Sequence, residues 1–300
     1  MILWERMIQA PLYGVIIGAR RTGCTSKGHL GAKGARGTET HILLFLAAIA
    51  AGAINTLAGG GGLLTFPLLT LVLSPVAADA TSALALLLAY PTAVWRTRHE
   101  LAGVGRRWLW LLLVSGVVGG LAGALVLVWT AERNFEFLVP WLVLGSTALF
   151  ALEPLLARRR GGASGSRTLA HRLWPLAVVL TFVVGFYGGY FGAGIGILMI
   201  AVLSLFETGG VHRVVALKNL ITGSLRGVAV LVFAVEGSID WGYGVPMALG
   251  GLLGGYLGGM VSGRVNRTVL RTVVIAIGLG VAAYYLWTLY GPSKFQIGGE

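Results

Sequence analysis

The chain has a single cysteine, Cys24, and it falls in the polar N-terminal stretch outside every apolar run. Intrachain disulfides and cysteine-ligated metal sites are thereby excluded, and so is thiol chemistry within an apolar segment. Charge is scarce too. Only 11% of residues are Asp, Glu, Lys or Arg, against about 25% in a soluble globular domain. Acids are the scarcer sign, 11 against 23 Lys and Arg, which leaves a net charge of +12. His41, His99, His171 and His212 lie at segment ends or in loops and His29 in the N-terminal stretch. No His/Asp/Glu group has metal-ligand spacing, and no Walker-type G-x-x-x-x-G-K-[ST] occurs. The expectation is therefore no cofactor, no resident metal and no enzyme activity. A primary pump would need a separate ATPase subunit.

What is abundant is apolar: 56% of residues are hydrophobic and the mean hydropathy is +0.82. The chain reads as an all-α, polytopic membrane protein. Its 47 glycines suit closely packed and interrupted helices. The basic residues lie mostly in short loops between apolar segments, where they orient a membrane protein, so nucleic acid is not an expected partner.

Two stretches break the apolar pattern in the same way. Gly52-Ala-Ile-Asn-Thr-Leu-Ala-Gly-Gly-Gly-Gly-Leu-Leu-Thr-Phe-Pro67 contains four consecutive glycines, Gly59, Gly60, Gly61 and Gly62. Each glycine weakens a helix by roughly 1 kcal/mol relative to Ala, so four together should break it. A second copy, Gly185 to Ile200, follows 133 residues later and sets Gly192 and Gly194 on Gly59 and Gly61. Broken backbone persists in lipid only where protein buries it or it lines a watery cavity. Matched interrupted segments point to a transporter site between repeats.

Residues 1–41 form a polar, basic N-terminal tail, expected to be disordered or peripheral. The first repeat, 42–157, holds apolar segments at 42–57, 63–75, 78–95, 108–130 and 136–156. Residues 158–173 form a basic linker placed in the cytoplasm. The second repeat, 174–290, holds segments at 175–191, 194–207, 213–235, 242–263 and 268–290, and residues 291–300 are a tail. That gives about 8–10 membrane helices. Segments 63–75 and 194–207 are too short to cross alone, so each pairs with its predecessor as a re-entrant-like helix pair. Arginines in loops 96–107, 157–173 and 264–271 place those loops in the cytoplasm, whereas the acids of 131–136 and 236–240 face outward. Segment 78–95 then runs opposite to its equivalent 213–235, and the halves are inverted copies. A parallel duplication is the alternative; it would put the basic tail inside but the Arg264–Arg271 cluster outside.

Segment 213–235 is the most polar. Asn219, Thr222, Gly223 and Arg226 share one helical face, with Lys218 beside them. Arg226 lies roughly 20 Å into the segment, too deep to reach the interface easily. A charge there costs at least ~2.5 kcal/mol. Lys218 and Arg226 are candidates to hold an anionic substrate. The plainer alternatives are that Lys218 reaches for the cytoplasmic interface and that Arg226 binds carbonyls at the broken segments. Asn55, Thr56 and Thr65 flank the first break, and the glycines there let an anion approach backbone N–H groups or simply pack helices closely. Asp79 either caps its helix or carries a coupling proton. Tyr187, Tyr190 and Phe191 of the second copy either gate the cavity or pack.

Asn55 to Pro67, followed by Ala80-Thr-Ser-Ala-Leu-Ala85 and Arg96 to Leu101, resembles the TauE/SafE sulfite exporter family of membrane permeases. Gly192-Ala-Gly-Ile-Gly196 and Ala216-Leu-Lys-Asn219 fit that family's C-terminal repeat, and the resemblance covers about residues 42–290. It implies transport of sulfite, thiosulfate or an organosulfonate, internal duplication and a multi-pass place in the inner membrane. The combined expectation is a secondary transporter, an exporter by the family's name, working by alternating access. Its substrate site would comprise Asn55, Thr56, Gly59, Gly60, Gly61, Gly62, Thr65, Gly192, Gly194, Lys218, Asn219, Thr222 and Arg226. An anion channel and a non-transporting scaffold subunit are the rival classes. The expected partners are the anion, the lipid bilayer and a second copy in a homodimer.

Overall fold

A computed structural model describes residues 30–57, 59–160, 174–207 and 210–261, together with helical residues between 272 and 287. The described residues up to Thr40 and those from His41 onward fall in two separate units. Among the described residues the order is α1 (Leu30–Leu57), α2 (Gly62–Leu69), α3 (Pro75–Leu87), α4 (Ala89–Leu101) and α5 (Arg106–Trp129). It continues with α6 (Glu132–Arg160), α7 (Trp174–Tyr190), α8 (Ile195–Phe206), α9 (Val211–Val235) and α10 (Trp241–Val261). The described residues contain no strand, and the all-helical expectation holds.

Three stretches are long and apolar enough to cross a membrane, Glu39–Thr56, Arg106–Trp129 and Val211–Val235. The bent pair α3–α4 makes up to four. The outer faces carry apolar side chains: Val114, Val118, Leu121 and Val126 project from α5, and Leu249, Leu253 and Leu257 from α10, all exposed. Trp110, Trp129, Trp174 and Trp241 stand exposed near helix ends, the level at which indole rings meet lipid headgroups.

The element boundaries correct the sequence reading in three places. Segment 78–95 is two helices bent by 40°, because Pro91 lacks the N–H that would bond to Leu87 and its ring crowds that carbonyl. The second of them continues to Leu101, so Arg96 and Arg98 stand on a helix and not in a loop. Helix α1 begins at Leu30, ahead of the expected start at Ile42. Of the linker 158–173, residues 158–160 end α6, while 161–173, like residues 1–29 and 291–300, lie outside the described residues.

Glycines set the packing and fix helix directions. Their lack of a Cβ lets backbones touch, the usual means of joining helices where lipid weakens the hydrophobic drive. Gly250, Gly254 and Gly258 of α10 abut Phe45, Ile49 and Ala53 of α1 in turn, so these helices run the same way. Gly119 and Gly123 of α5 likewise abut Phe182 and Phe186 of α7. Helix α10 is also parallel to α3–α4, through Gly251 on Ala85 and Gly255 on Ala89. Helix α9 opposes that pair: Gly227 meets Leu87, Gly223 meets Tyr90, and Gly103 meets Arg213. Two further crossings set glycine on glycine. Gly52 lies on the Gly251 carbonyl and Gly185 on the Gly116 carbonyl.

Candidate functional site

Helix α1 ends at Leu57, and Gly59 has a φ of 82°. Its N–H donates to the carbonyl oxygens of Ile54 at 3.2 Å and Asn55 at 3.0 Å. Helix α7 ends at Tyr190, and Gly192, with φ 71°, donates to the Tyr187 carbonyl at 3.2 Å. Both ends therefore use a glycine in the left-handed region, with its N–H turned back to a carbonyl five residues earlier. Only glycine enters that region without steric cost. The chain then resumes as α2 and α8. The two breaks meet face to face: a Cβ on Gly59 would strike the backbone of Gly196, one on Gly196 would strike Gly59, and one on Gly62 would lie 3.2 Å from Ala193 Cα.

Helix α9 carries one cation to each break. Lys218 is 0% exposed, and its Nζ donates to the Asn55 carbonyl at 3.0 Å. Arg226 is 3% exposed, and its Nη2 donates to the Phe191 carbonyl at 3.5 Å. The absent side chain of Gly192 leaves the space that this guanidinium fills. A helix end exposes unpaired carbonyls and a partial negative charge, and each cation answers one such end. The alternative in which Lys218 reaches the cytoplasmic interface is thereby overturned. Arg226 does bind backbone at a break, and Lys218 does so too.

Asp79 does not cap its helix. The N-cap is Ser74 and Pro75 opens the helix, which leaves Asp79 more than one turn inside, beyond the reach of the free N–H groups. It is 1% exposed, and its Oδ2 lies 4.0 Å from Arg226 Nη1. That separation makes an ion pair but exceeds a hydrogen bond, and neither atom has a hydrogen-bond partner. Asn219 Oδ1 and Thr222 Oγ1, along the face of α9 that bears Arg226, are buried and unpartnered as well.

The remaining candidates divide. Asn55 is buried and contributes its carbonyl. Thr56 bonds back to the Gly52 carbonyl at 3.0 Å, and Thr65 to the Gly61 carbonyl at 3.4 Å and Ser82 Oγ at 2.6 Å, so both hydroxyls are engaged locally. Gly60, Gly61 and Gly62 are buried, with Gly61 seated on Ala51 and Asn55. Gly194, with φ 74°, lies against Ser146. Phe191 is fully buried, edge-on to Phe66 at 5.0 Å, and Tyr187 donates its hydroxyl to the Ala193 carbonyl at 2.8 Å. Both are held in packing. Sequence reasoning missed Ser82 and Ser146 as supports of the breaks, because each lies far along the chain from the residue it meets, Thr65 and Gly194.

Apolar helices, facing backbone breaks and buried cations define a helical membrane transporter. A model of the family described as sulfite exporter TauE/SafE matches residues 44–285, and the chain belongs to that family. It is 27% identical over 215 residues to the probable membrane transporter protein YfcA of Escherichia coli strain K12, covering 70% of this chain and 76% of that one. A probable membrane transporter protein of Haemophilus influenzae is 26% identical over 219 residues, covering 72% and 83%. The probable membrane transporter protein ORF9 of a Sinorhizobium species is 30% identical over 219 residues, covering 71% and 80%. No solved structure matches the chain significantly.

Proposed function

We propose that this transporter exports a small sulfur-containing anion, such as sulfite, thiosulfate or an organosulfonate, across the inner membrane by alternating access. The observation that carries the reading is the crossing of two glycine breaks, Gly59 on Gly196, with a buried cation on each. In the occluded state the carbonyls of Asn55 and Phe191 and the carboxylate of Asp79 occupy those cations. A small oxyanion offers stronger acceptors in compact form. It would exchange for these partners, with Asn219 and Thr222 alongside and the open glycine backbone supplying N–H groups.

The halves are inverted copies, 42–157 and 174–290, joined by a cytoplasmic linker. Four observations support this. Helices α1, α3–α4 and α10 run one way and α5, α7 and α9 the other. Equivalent helices α1 and α7, 133 residues apart, thus point in opposite directions. The crossings Gly52 on Gly251 and Gly185 on Gly116 exchange helices between halves as a two-fold axis would. The left-handed glycines 59 and 192 fall at matching positions. An inverted pair of crossed breaks gives two related packings of one site, and alternating access requires just that.

Orientation is testable in a Cys24→Ser background. Gly105→Cys, before α5, is expected to resist a membrane-impermeant thiol reagent added outside, and Ser238→Cys, before α10, to react. Labelling of both from one side would refute the inverted topology. Substrate is testable by thermal shift of the purified protein with sulfite, thiosulfate, taurine, sulfoacetate, sulfate and acetate. An anion at 100 times its dissociation constant should add about 2.7 kcal/mol. The gain should vanish in Lys218→Ala or Arg226→Ala; unchanged shifts in both would dismiss the site.

A further inference from the structure

We infer that Asp79 takes up a proton from water whenever an anion occupies Arg226, so that one proton accompanies each anion across the membrane. The inference deepens the anion-site reading and rests on it. Its geometric basis is a pair of charges that do not satisfy each other. Asp79 on α3 and Arg226 on α9 belong to different halves, both are almost wholly buried, and their nearest atoms stand 4.0 Å apart. Oδ2 and Nη1 each lack a hydrogen bond. A direct carboxylate–guanidinium contact would close to under 3 Å (about 2.7–2.9 Å). The gap leaves the guanidinium available to a competing acceptor.

Competition has a consequence for charge. Arg226 is the one cation within ion-pair distance of Asp79 among the described residues. An anion drawn to it places two negative groups beside one guanidinium in a low-dielectric setting, where like charges repel strongly. A proton added to the Asp79 carboxylate removes one of the two charges, turning Asp79 into a neutral donor that hydrogen-bonds the anion. The balance is simple: the proton comes from water on the open side, no covalent bond of the substrate changes, and the proton leaves when the anion does. Linkage is mutual, since protonation of Asp79 must strengthen anion binding by the factor that anion binding favours protonation.

Among the described residues the surroundings contain no other group to take that role. From α9 the facing group is Arg226. From α7 it is Tyr187, within electrostatic range of both charges, with its hydroxyl committed to the Ala193 carbonyl. Helix α4 brings Tyr90 near Arg226. Asp240, ahead of α10, touches α3 through its N–H on Thr81 Oγ1 at 3.1 Å and uses Oδ1 to cap Tyr243. Helices α2 and α6 contribute Thr65 and Ser146, which do not ionise here.

The sign follows directly. Anion loading is favoured by acid on the side from which it loads, and a monoanion moves without net charge, so its direction ignores the membrane potential. The experiment uses the full-length protein in liposomes holding a pH-sensitive dye, with thiosulfate and then sulfite as probes. Thiosulfate holds no proton of its own near neutral pH, so any acidification it causes reports the protein. Wild type should acidify the lumen in step with anion entry. Asp79→Asn, which cannot take up a proton, should bring the ratio of protons to thiosulfate moved down to the background leak, remove the dependence of the remaining flux on external pH, and raise the charge carried per thiosulfate from one to two. Asp79→Glu should restore proton movement with a displaced pH profile, which a merely structural carboxylate would not do. Anion flux in wild type without acidification would overturn the coupling and spare the transporter reading. Proton movement undiminished in a folded Asp79→Asn would overturn it equally. Absence of flux for both probes in wild type would remove the anion site and the coupling together.

Discussion

Substituting Gly59 by Ala is expected to cost on the order of 2–5 kcal/mol, one of the two largest single-residue effects in the chain. Two terms add. An L-residue in the left-handed region, where Gly59 sits at φ 82°, costs roughly 1–2 kcal/mol. The new methyl also meets the backbone of Gly196, and backbone cannot swing aside as a side-chain tip can. Overpacking of that kind costs typically about 1–3 kcal/mol. Gly196→Ala should show the second term without the first, because Gly196 lies inside α8 at a helical φ. Gly105→Ala is the control: a Cβ there would meet nothing within 4 Å, and its φ of −56° suits any residue. The measurement is thermal unfolding of the detergent-purified proteins. The ordering should be Gly105→Ala near wild type, Gly196→Ala lower, and Gly59→Ala lowest by on the order of 10 °C. A Gly59→Ala protein as stable as the control would mean that the two breaks do not touch, and the crossed arrangement would fail with it.

Much of this arrangement was legible beforehand, and the reason differs from element to element. The breaks were visible because runs of glycine interrupt helices by a local mechanism that needs no tertiary knowledge. The polar face of α9 was visible because Asn219, Thr222 and Arg226 recur at helical spacing. The kink between α3 and α4 was announced by Pro91 but passed over, since the apolar run continues through it. The partners of the buried charges were not legible at all. Lys218 finds Asn55 163 residues away, and no periodicity reports which helix end a side chain will meet. Asp79 read as either a cap or a carrier of a coupling proton, the cap because an acid near a helix start usually is one; Pro75 moved the true start upstream. Thr56 and Thr65 read as substrate ligands because hydroxyls beside a break look available; here they bond back to Gly52 and Gly61, as such residues in helices often do, and no periodicity announces that choice.

Arg226→Ala is expected to be at least as costly as Gly59→Ala, and to abolish transport as well. Removal of one partner from a buried ion pair typically costs about 3–5 kcal/mol, because the other charge stays buried without compensation. Here the loss is compounded: Asp79 loses its counter-charge, the Phe191 carbonyl at the end of α7 loses its donor, and the space at Gly192 is emptied. A double-mutant cycle separates these contributions. Asp79→Asn alone leaves a buried cation that still holds the Phe191 carbonyl, so its cost should be smaller. Asp79→Asn combined with Arg226→Ala should recover part of the stability lost in Arg226→Ala, by about 1–3 kcal/mol, since no charge is then stranded. Transport should not recover, because the anion's guanidinium is still missing. That split between stability and flux is what distinguishes a residue that binds substrate from one that only ties helices together. If the double variant regained flux along with stability, Arg226 would be structural, and Lys218 alone would have to bind the anion. An unchanged melting temperature in Arg226→Ala would say instead that the pair with Asp79 is not formed in the membrane, and both the site and its coupling to a proton would be untenable.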